Sequence, residues 1–239
     1  MVPTEYIHVP IPSEKGEDDH VNPTVTLDWR PSKQEWIVIA CQICVVLLVS
    51  LDSTILTNSL PSVSGALDAD ATGAFWTLSA YLLASTSVQP VVAALASIFG
   101  RKTSILAALA MFTFGTVLCS SARSLQQMLA GRAIQGVGGG AILSLNLIIL
   151  SEAIPLRQRP KYMGMVQIFS FLAVNLGPLI GAALAEKSWR WLFYINFPFC
   201  GAALAAILYC MRNQNQDTKF FQKLNEIDWV GSIAFILGV

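Results

Sequence analysis

Two residues in an otherwise apolar stretch stand out for their chemistry. Leu129–Leu150 reads LAGRAIQGVGGGAILSLNLIIL, with Arg132 and Gln135 three positions apart. The stretch is long enough to cross a bilayer, which takes roughly 20 predominantly apolar residues. Positions i and i+3 share a helix face, so this helix turns a cation and an amide toward the same neighbour. A cation within a membrane costs about 2.5–3.5 kcal/mol on insertion scales and calls for a partner. The candidate partner is Asp52, in the run LDSTILTN that ends at Asn58. The hydroxyls and amide there make that half of the first apolar stretch polar on more than one face. Such a helix suits the wall of a water-accessible cavity better than a lipid contact; a merely structural ion pair is the plainer alternative. Burial disfavours the charged form of a carboxylate and a nearby cation favours it.

The elements that must position these groups follow from composition. The chain has 239 residues, 54% hydrophobic and 13% charged, with a mean hydropathy of +0.57. Soluble domains carry about 25% charged residues. The apolar residues come in blocks of bilayer length, which predicts an all-α polytopic membrane protein. A membrane barrel would need short alternating segments, and the sequence has none. The net charge of +0 gives no reason to expect a nucleic-acid partner. Five cysteines, Cys41, Cys44, Cys119, Cys200 and Cys210, lie in or at the edge of apolar blocks. Cys41 and Cys44 form a C-x-x-C without a second ligand pair, so the cysteines read as small apolar residues. His8 and His20 both lie in the polar N-terminal stretch. No metal, cofactor or enzyme constellation is expected.

In chain order, residues 1–35 read as a disordered tail, polar and without the apolar core of a signal peptide. A six-span bundle is expected over 36–211, with spans at about 36–58, 74–95, 103–119, 126–150, 162–185 and 189–211. A polar linker at 212–228 leads to Trp229, where a seventh apolar run begins and continues to Val239. Lys and Arg concentrate on one side: Arg101 and Lys102 between spans two and three, Arg157, Arg159 and Lys161 between four and five. That side is cytoplasmic by the positive-inside rule. The first span exits near Pro61, which puts Asp52 about 13 Å deep at 1.5 Å per residue. Arg132 lies about 10 Å into the fourth span from the same side by the same rise. Both are expected to face a cavity at similar depth, close enough for an ion pair or a water-bridged contact.

Three further patterns have a structural and a functional reading. Gly136-x-x-x-Gly140 has the small-xxx-small spacing that lets membrane helices approach closely; the Lys-Ser/Thr of a phosphate loop is missing. Gly177-Pro178, with Gly181 following, predicts a kink in the fifth span. Gly100-Arg101-Lys102 is a tight turn with cations on the inner face, which an orientation signal alone would explain.

Taken together these residues resemble the major facilitator superfamily, in its fourteen-span drug:proton antiporter branch as found in fungi. LDSTILTNSLP (51–61) looks like that branch's first-span motif, and GRAIQGVGGGA (131–141) like the superfamily's fourth-span R-x-x-Q-G motif. Gly177-Pro178-x-x-Gly181 is similar to the fifth-span antiporter motif. SWRWLFYINFP (188–198) resembles the start of the sixth span, and IDWVGSIAFILG (227–238) the entry to the seventh. Two departures stand out. Ala93 and Ser97 replace the glycine and the acidic residue usual before Gly100-Arg101-Lys102, and Ile168 stands where the fifth-span motif has an upstream glycine.

The resemblance implies the six-helix N-terminal bundle of the major facilitator fold plus the start of a seventh span. It implies proton-coupled efflux of small amphipathic compounds by alternating access, across a cavity shared with a second bundle. Asp52, Asn58, Arg132 and Gln135 would line the proton and substrate cavity. Gly100, Arg101, Lys102, Gly136, Gly140, Gly177, Pro178 and Gly181 would serve the conformational change. The partners expected are the lipid bilayer, a small-molecule substrate, and the missing second bundle or another chain. The membrane would be the plasma membrane, with the vacuolar membrane as alternative. A truncated, non-transporting membrane protein and a nutrient transporter of the same fold are the rival readings. A reporter fused after Arg212 is expected in the cytoplasm and one inserted near Asp68 outside. A protease-access map placing both on one side would overturn the span assignment.

Overall fold

The computed structural model describes residues 31–210. The readings that fall on residues 1–30 and 211–239, including the linker and the seventh apolar run, lie outside the described residues. Among the described residues the chain is helical, in the order α1 (Lys33–Ile55), α2 (Leu60–Ala66), α3 (Ala71–Phe99), α4 (Arg101–Ser120), α5 (Leu125–Ala153), α6 (Arg159–Ala185), α7 (Trp191–Tyr194) and α8 (Asn196–Cys210). Six stretches are long and apolar enough to cross a membrane: α1, α3, α4, α5, α6, and the α7–α8 stretch from Trp191. The protein is a multi-pass integral membrane protein.

Local chemistry sets the boundaries. The Asp70 carboxylate accepts from the backbone N–H of Gly73 at 2.8 Å and caps α3. Ser124 does the same for α5 through Gln127, at 3.3 Å. Each satisfies a donor that a helix start leaves orphaned. Pro61 and Pro160 lie in the first turns of α2 and α6, where a missing N–H costs nothing. The turn between α3 and α4 is a single residue, Gly100, at φ 84°, a conformation costly for any residue with a Cβ.

The boundaries differ from the sequence expectation in three places. Helix α1 starts at Lys33, inside the stretch assigned to the tail, and ends at Ile55, so Asn58 falls in the turn beyond it. Pro61 opens the short helix α2 instead of closing the first span. The sixth span is broken at Ile195. Pro198 has no N–H to give the carbonyl of Tyr194, four residues back, so the helix cannot run on unbroken. Conversely α6 continues through Pro178 without interruption.

Helix α5 is the centre of the bundle, packed against α3, α4 and α1, whereas α6 packs chiefly on α1. Glycines set these distances. A Cβ on Gly136 or Gly140 would collide with the carbonyl oxygens of Tyr81 or Ser85 on α3. One on Gly138 would meet the backbone of Phe112 on α4, and one on Gly115 of α4 would sit 2.5 Å from the Gln135 nitrogen. The expected small-residue spacing is thus a packing device, on two faces of α5 at once. Gly177 and Gly181 do the same between α6 and α1, against Thr54 and Ile55.

Two apolar clusters fill the interior. One holds Val45, Val49, Phe112, Ile142 and Cys200, the other Ile55, Cys119, Met128 and Phe193. On α4, α5 and α8 the change from one cluster to the other falls at polar residues, Thr116, Arg132 with Gln135, and Asn196. Gly140→Ala is expected to destabilise the bundle by about 1–3 kcal/mol, as overpacking does. Gly164→Ala, where nothing lies within 4 Å of the added carbon, should be neutral or stabilising by up to about 1 kcal/mol. Thermal unfolding in detergent compares them; equal midpoints would refute the packing account.

Candidate functional site

Asp52 comes from the last turn of α1 and Arg132 from the second turn of α5. Their side chains form an ion pair, Arg132 Nη1 donating to Asp52 Oδ2 at 2.9 Å. Gln135, one turn further along α5, closes the pair into a ring. Its Oε1 accepts from Arg132 Nη1 at 2.8 Å, and its Nε2 donates to Asp52 Oδ1 at 2.9 Å. The same Nε2 donates to Thr116 Oγ1 at 2.9 Å, and that hydroxyl donates in turn to the Phe112 carbonyl of its own helix. Asn196, the first residue of α8, donates through Nδ2 to Asp52 Oδ1 at 2.5 Å. Tyr81 of α3 lies flat against the cation, with the guanidinium carbon 4.3 Å from its ring centroid. Five helices therefore meet at one carboxylate.

Asp52, Arg132, Gln135, Thr116 and Asn196 are all fully buried. The pairing expected from sequence is present, but an open wall is not. The six helices by themselves close the charges off from bulk solvent, so Asp52, Arg132 and Gln135 lie inside the bundle. The hydroxyls beside Asp52 are also spent locally. Ser53 and Thr54 donate to the Ser50 carbonyl at 2.7 and 3.3 Å, the back-bonding available to such residues in a helix. Ser50 meets Ser170 of α6 at 2.7 Å. Asn58 is exposed in the turn beyond α1 and takes no part.

Such a site can hold a negative charge in a fixed place through protein donors. A buried pair is tolerable only when geometry is good and the remaining polar atoms find partners, and here the carboxylate accepts from Arg132, Gln135 and Asn196. The aromatic face adds a cation–π contact, about 2 kcal/mol when desolvated. The chemistry available is the gain and loss of one proton at the carboxylate. Among the described residues no group of three or more His, Cys, Asp or Glu is placed to hold a metal ion.

The second set of candidates lies at the other end of the same helices. Arg101, the first residue of α4, forms an ion pair with Glu152 in the last turn of α5, its Nε 3.1 and 3.0 Å from the two carboxylate oxygens. Lys102 follows it, half-buried. The Ser97 hydroxyl donates to the Ala94 carbonyl at 2.7 Å, within its own helix. Glu152, Asn196, Thr116 and Tyr81 are the residues that sequence reasoning missed. Asn196 carried a signal, a lone amide in an apolar span; Tyr81 and Thr116 carried none, since both types are ordinary in membrane helices.

Comparisons with known proteins can now be set beside this geometry. Residues 43–233 match the family model described as Major Facilitator Superfamily. The chain is 36% identical over 206 residues to the MFS efflux transporter aclA of Aspergillus oryzae, covering 85% of this chain and 37% of that one. It is 38% identical over 203 residues to the MFS-type transporter ucsD of Acremonium sp., covering 84% of this chain and 34% of that one. The chain thus spans little more than a third of the length of these curated relatives. Among solved structures, a bacterial homolog of the human lysosomal transporter Spinster, inward-facing and unoccupied, superposes with a TM-score of 0.66. Its identity is 15%, and the match covers 82% of this chain and 50% of that one; it speaks to the fold.

The closed ring of bonds makes a quantitative prediction. Arg132→Ala strands the Asp52 charge and should cost about 3–5 kcal/mol, as removal of one partner of a buried pair does. The double variant Asp52→Asn with Arg132→Gln removes both charges and should cost less. Thermal unfolding of the two variants decides, and an Arg132→Ala protein as stable as the double variant would show that the pair is not coupled.

Proposed function

The chain belongs to the major facilitator superfamily, and on that premise we propose that it is the N-terminal bundle of a proton-coupled exporter of small amphipathic compounds. The observation that carries this reading is Asp52, the one fully buried carboxylate among the described residues, held by three donors from two other helices, Arg132 and Gln135 of α5 and Asn196 of α8. A membrane protein that needs only a scaffold gains nothing from such a pair, because apolar residues of similar volume pack as well or better. A protein that must move one proton per cycle needs a carboxylate whose two states are both tolerated. In this reading Asp52 carries the proton, Arg132 balances its charge when the proton leaves, and Gln135 and Asn196 keep the carboxylate in place in both states. The relative named as an efflux transporter supports the outward direction of transport.

The mechanism in this reading is alternating access, the bundle rocking against a second one related to it by an axis along the membrane normal. The Gly136/Gly140 and Gly177/Gly181 contacts would make the bundle stiff enough to rock as a body. Arg101 and Glu152 would tie the cytoplasmic end of α4 to that of α5. The membrane in this reading is the plasma membrane, the boundary across which efflux clears a cell. Because Asp52 is closed off within one bundle, the substrate would occupy the space between bundles, and the proton would act on it through the helices that hold Asp52.

The test is made on the two-bundle protein in proteoliposomes, with ethidium as a fluorescent amphipathic probe and an imposed pH gradient. Asp52→Asn should abolish gradient-driven efflux while ethidium still binds. Efflux with unchanged proton dependence in that variant would move the proton site elsewhere and leave Asp52 a structural ion.

A further inference from the structure

Six buried polar atoms have no partner among the described residues: Gln42 Oε1, Tyr81 Oη, Arg132 Nε and Nη2, Asn146 Oδ1 and Asn196 Oδ1. They are not scattered. Arg132 and Asn196 belong to the Asp52 level. The Tyr81 ring lies against the Arg132 guanidinium, and its hydroxyl reaches the next level, 2.6 Å from where a Gly139 side chain would begin. Val49 of α1 sits at that same level, 3.4 Å from the same point. Gln42 precedes Val49 by seven residues and Asn146 follows Gly139 by seven. Seven residues are two helical turns, about 10.5 Å of rise, and return to the same helix face. α1 and α5 run in opposite directions as first and fourth spans. Gln42 and Asn146 therefore stand at the same height on α1 and α5, one level nearer the end of the bundle that carries Arg101 and Lys161.

Both carboxamides are buried, Gln42 at 1% and Asn146 at 5% relative exposure, within an otherwise apolar cluster of Val45, Leu145 and Ile149. A buried polar atom without a partner is rare and costs about 1–3 kcal/mol. Two unpartnered carboxamide oxygens at one level, and a phenol hydroxyl two turns above them, are buried polar groups of the kind that ordered water satisfies, a molecule that typically makes about three hydrogen bonds. The charges argue for water over a metal cation, since the upper end of this column is the Arg132 guanidinium and its lower level holds no carboxylate.

We infer that the column Gln42–Asn146–Tyr81–Arg132 binds internal water, and that this water is the path by which Asp52 exchanges its proton with the cytoplasmic half of the bundle. The inference rests on the reading of Asp52 as the proton-carrying group. Of the two carboxylate oxygens, Oδ1 accepts from Gln135 and Asn196, while Oδ2 accepts from Arg132 alone. The proton arrives at Oδ2. A hydronium at the lower end gives a proton to the next water, each water or hydroxyl passes one on as it accepts one, and the last O–H bond formed is on Asp52. The carboxylate becomes a neutral acid and the hydronium becomes water; release runs the same steps backwards. The carboxamides do not titrate. They accept hydrogen bonds and hold the lower end of the water chain in place within the apolar cluster of Val45, Leu145 and Ile149.

The test is infrared spectroscopy of this chain in lipid. The carboxylic-acid band of Asp52 is assigned by its loss in Asp52→Asn, and its shift is followed in time after transfer to D2O. Gln42→Leu, Asn146→Leu and Tyr81→Phe should each slow the exchange about tenfold, the effect of a barrier raised by about 1.4 kcal/mol. Gln42→Asn and Asn146→Ser, which keep a polar oxygen, should exchange like the parent. If one leucine variant does not fold, the other and Tyr81→Phe carry the test. Parent-like exchange in the leucine variants, with the Asp52 band present, overturns the column and leaves Asp52 as the proton carrier. Absence of an acid band at any pH overturns both. Exchange that responds to sodium instead of to these substitutions would identify a bound cation and overturn the water assignment.

Discussion

A carboxylate and a guanidinium buried away from bulk solvent impose the tightest constraint on this fold. In a medium of low dielectric a lone charge costs several kcal/mol, and the mutual attraction of a pair offsets that only when its geometry is good. Every element near Asp52 answers to this. α5 supplies both the cation and the amide that ties the cation to the carboxylate. α4 anchors the amide through Thr116, α8 begins at the asparagine that donates to Asp52, and α3 lays an aromatic face on the cation. The break at Ile195 is part of the same arrangement. It lets the chain enter from the outer loop, turn, and start α8 with Asn196 already inside.

Such convergence demands short distances between helix axes, and the glycines provide them. Helix α5 has no side chain at Gly136 and Gly140 where α3 crosses, nor at Gly138 where α4 crosses. With little hydrophobic drive between helices in lipid, this close packing is itself a large part of what holds the bundle together. Helix α6 is different. It buries Gly177 and Gly181 on α1 and leaves Phe171, Leu172 and Leu179 exposed, an apolar face turned away from the bundle. The contrast gives a rigid centre that carries the charges and an outer helix whose free face meets lipid or other helices.

Much of this was legible in the residues themselves. Arg132 and Asp52 were legible because each is too costly to leave alone in an apolar run, so each announces a partner. Gln135 was legible from its i+3 spacing. Asn58 stands outside the ring of bonds around Asp52, because α1 ends at Ile55 and the turn carries Asn58 outward to an exposed position. The hydroxyls of Ser53 and Thr54 misled. They suggested a wet wall, while their bonds return to the Ser50 carbonyl of their own helix.

The amino-acid sequence by itself determined the number of membrane-length helices among the described residues, their ends to within a few residues, and the identity of the charged pair. These depend on local properties: the length of apolar runs, the absent N–H of proline, the cost of an isolated charge. Only the tertiary structure decided that the pair is sealed inside one bundle, that Asn196, Thr116 and Tyr81 complete it, and that Glu152 takes Arg101. Those facts depend on how six helices rotate about their axes and how closely they cross. A side chain's burial is a property of its neighbours on other helices, and no spacing within one helix records it.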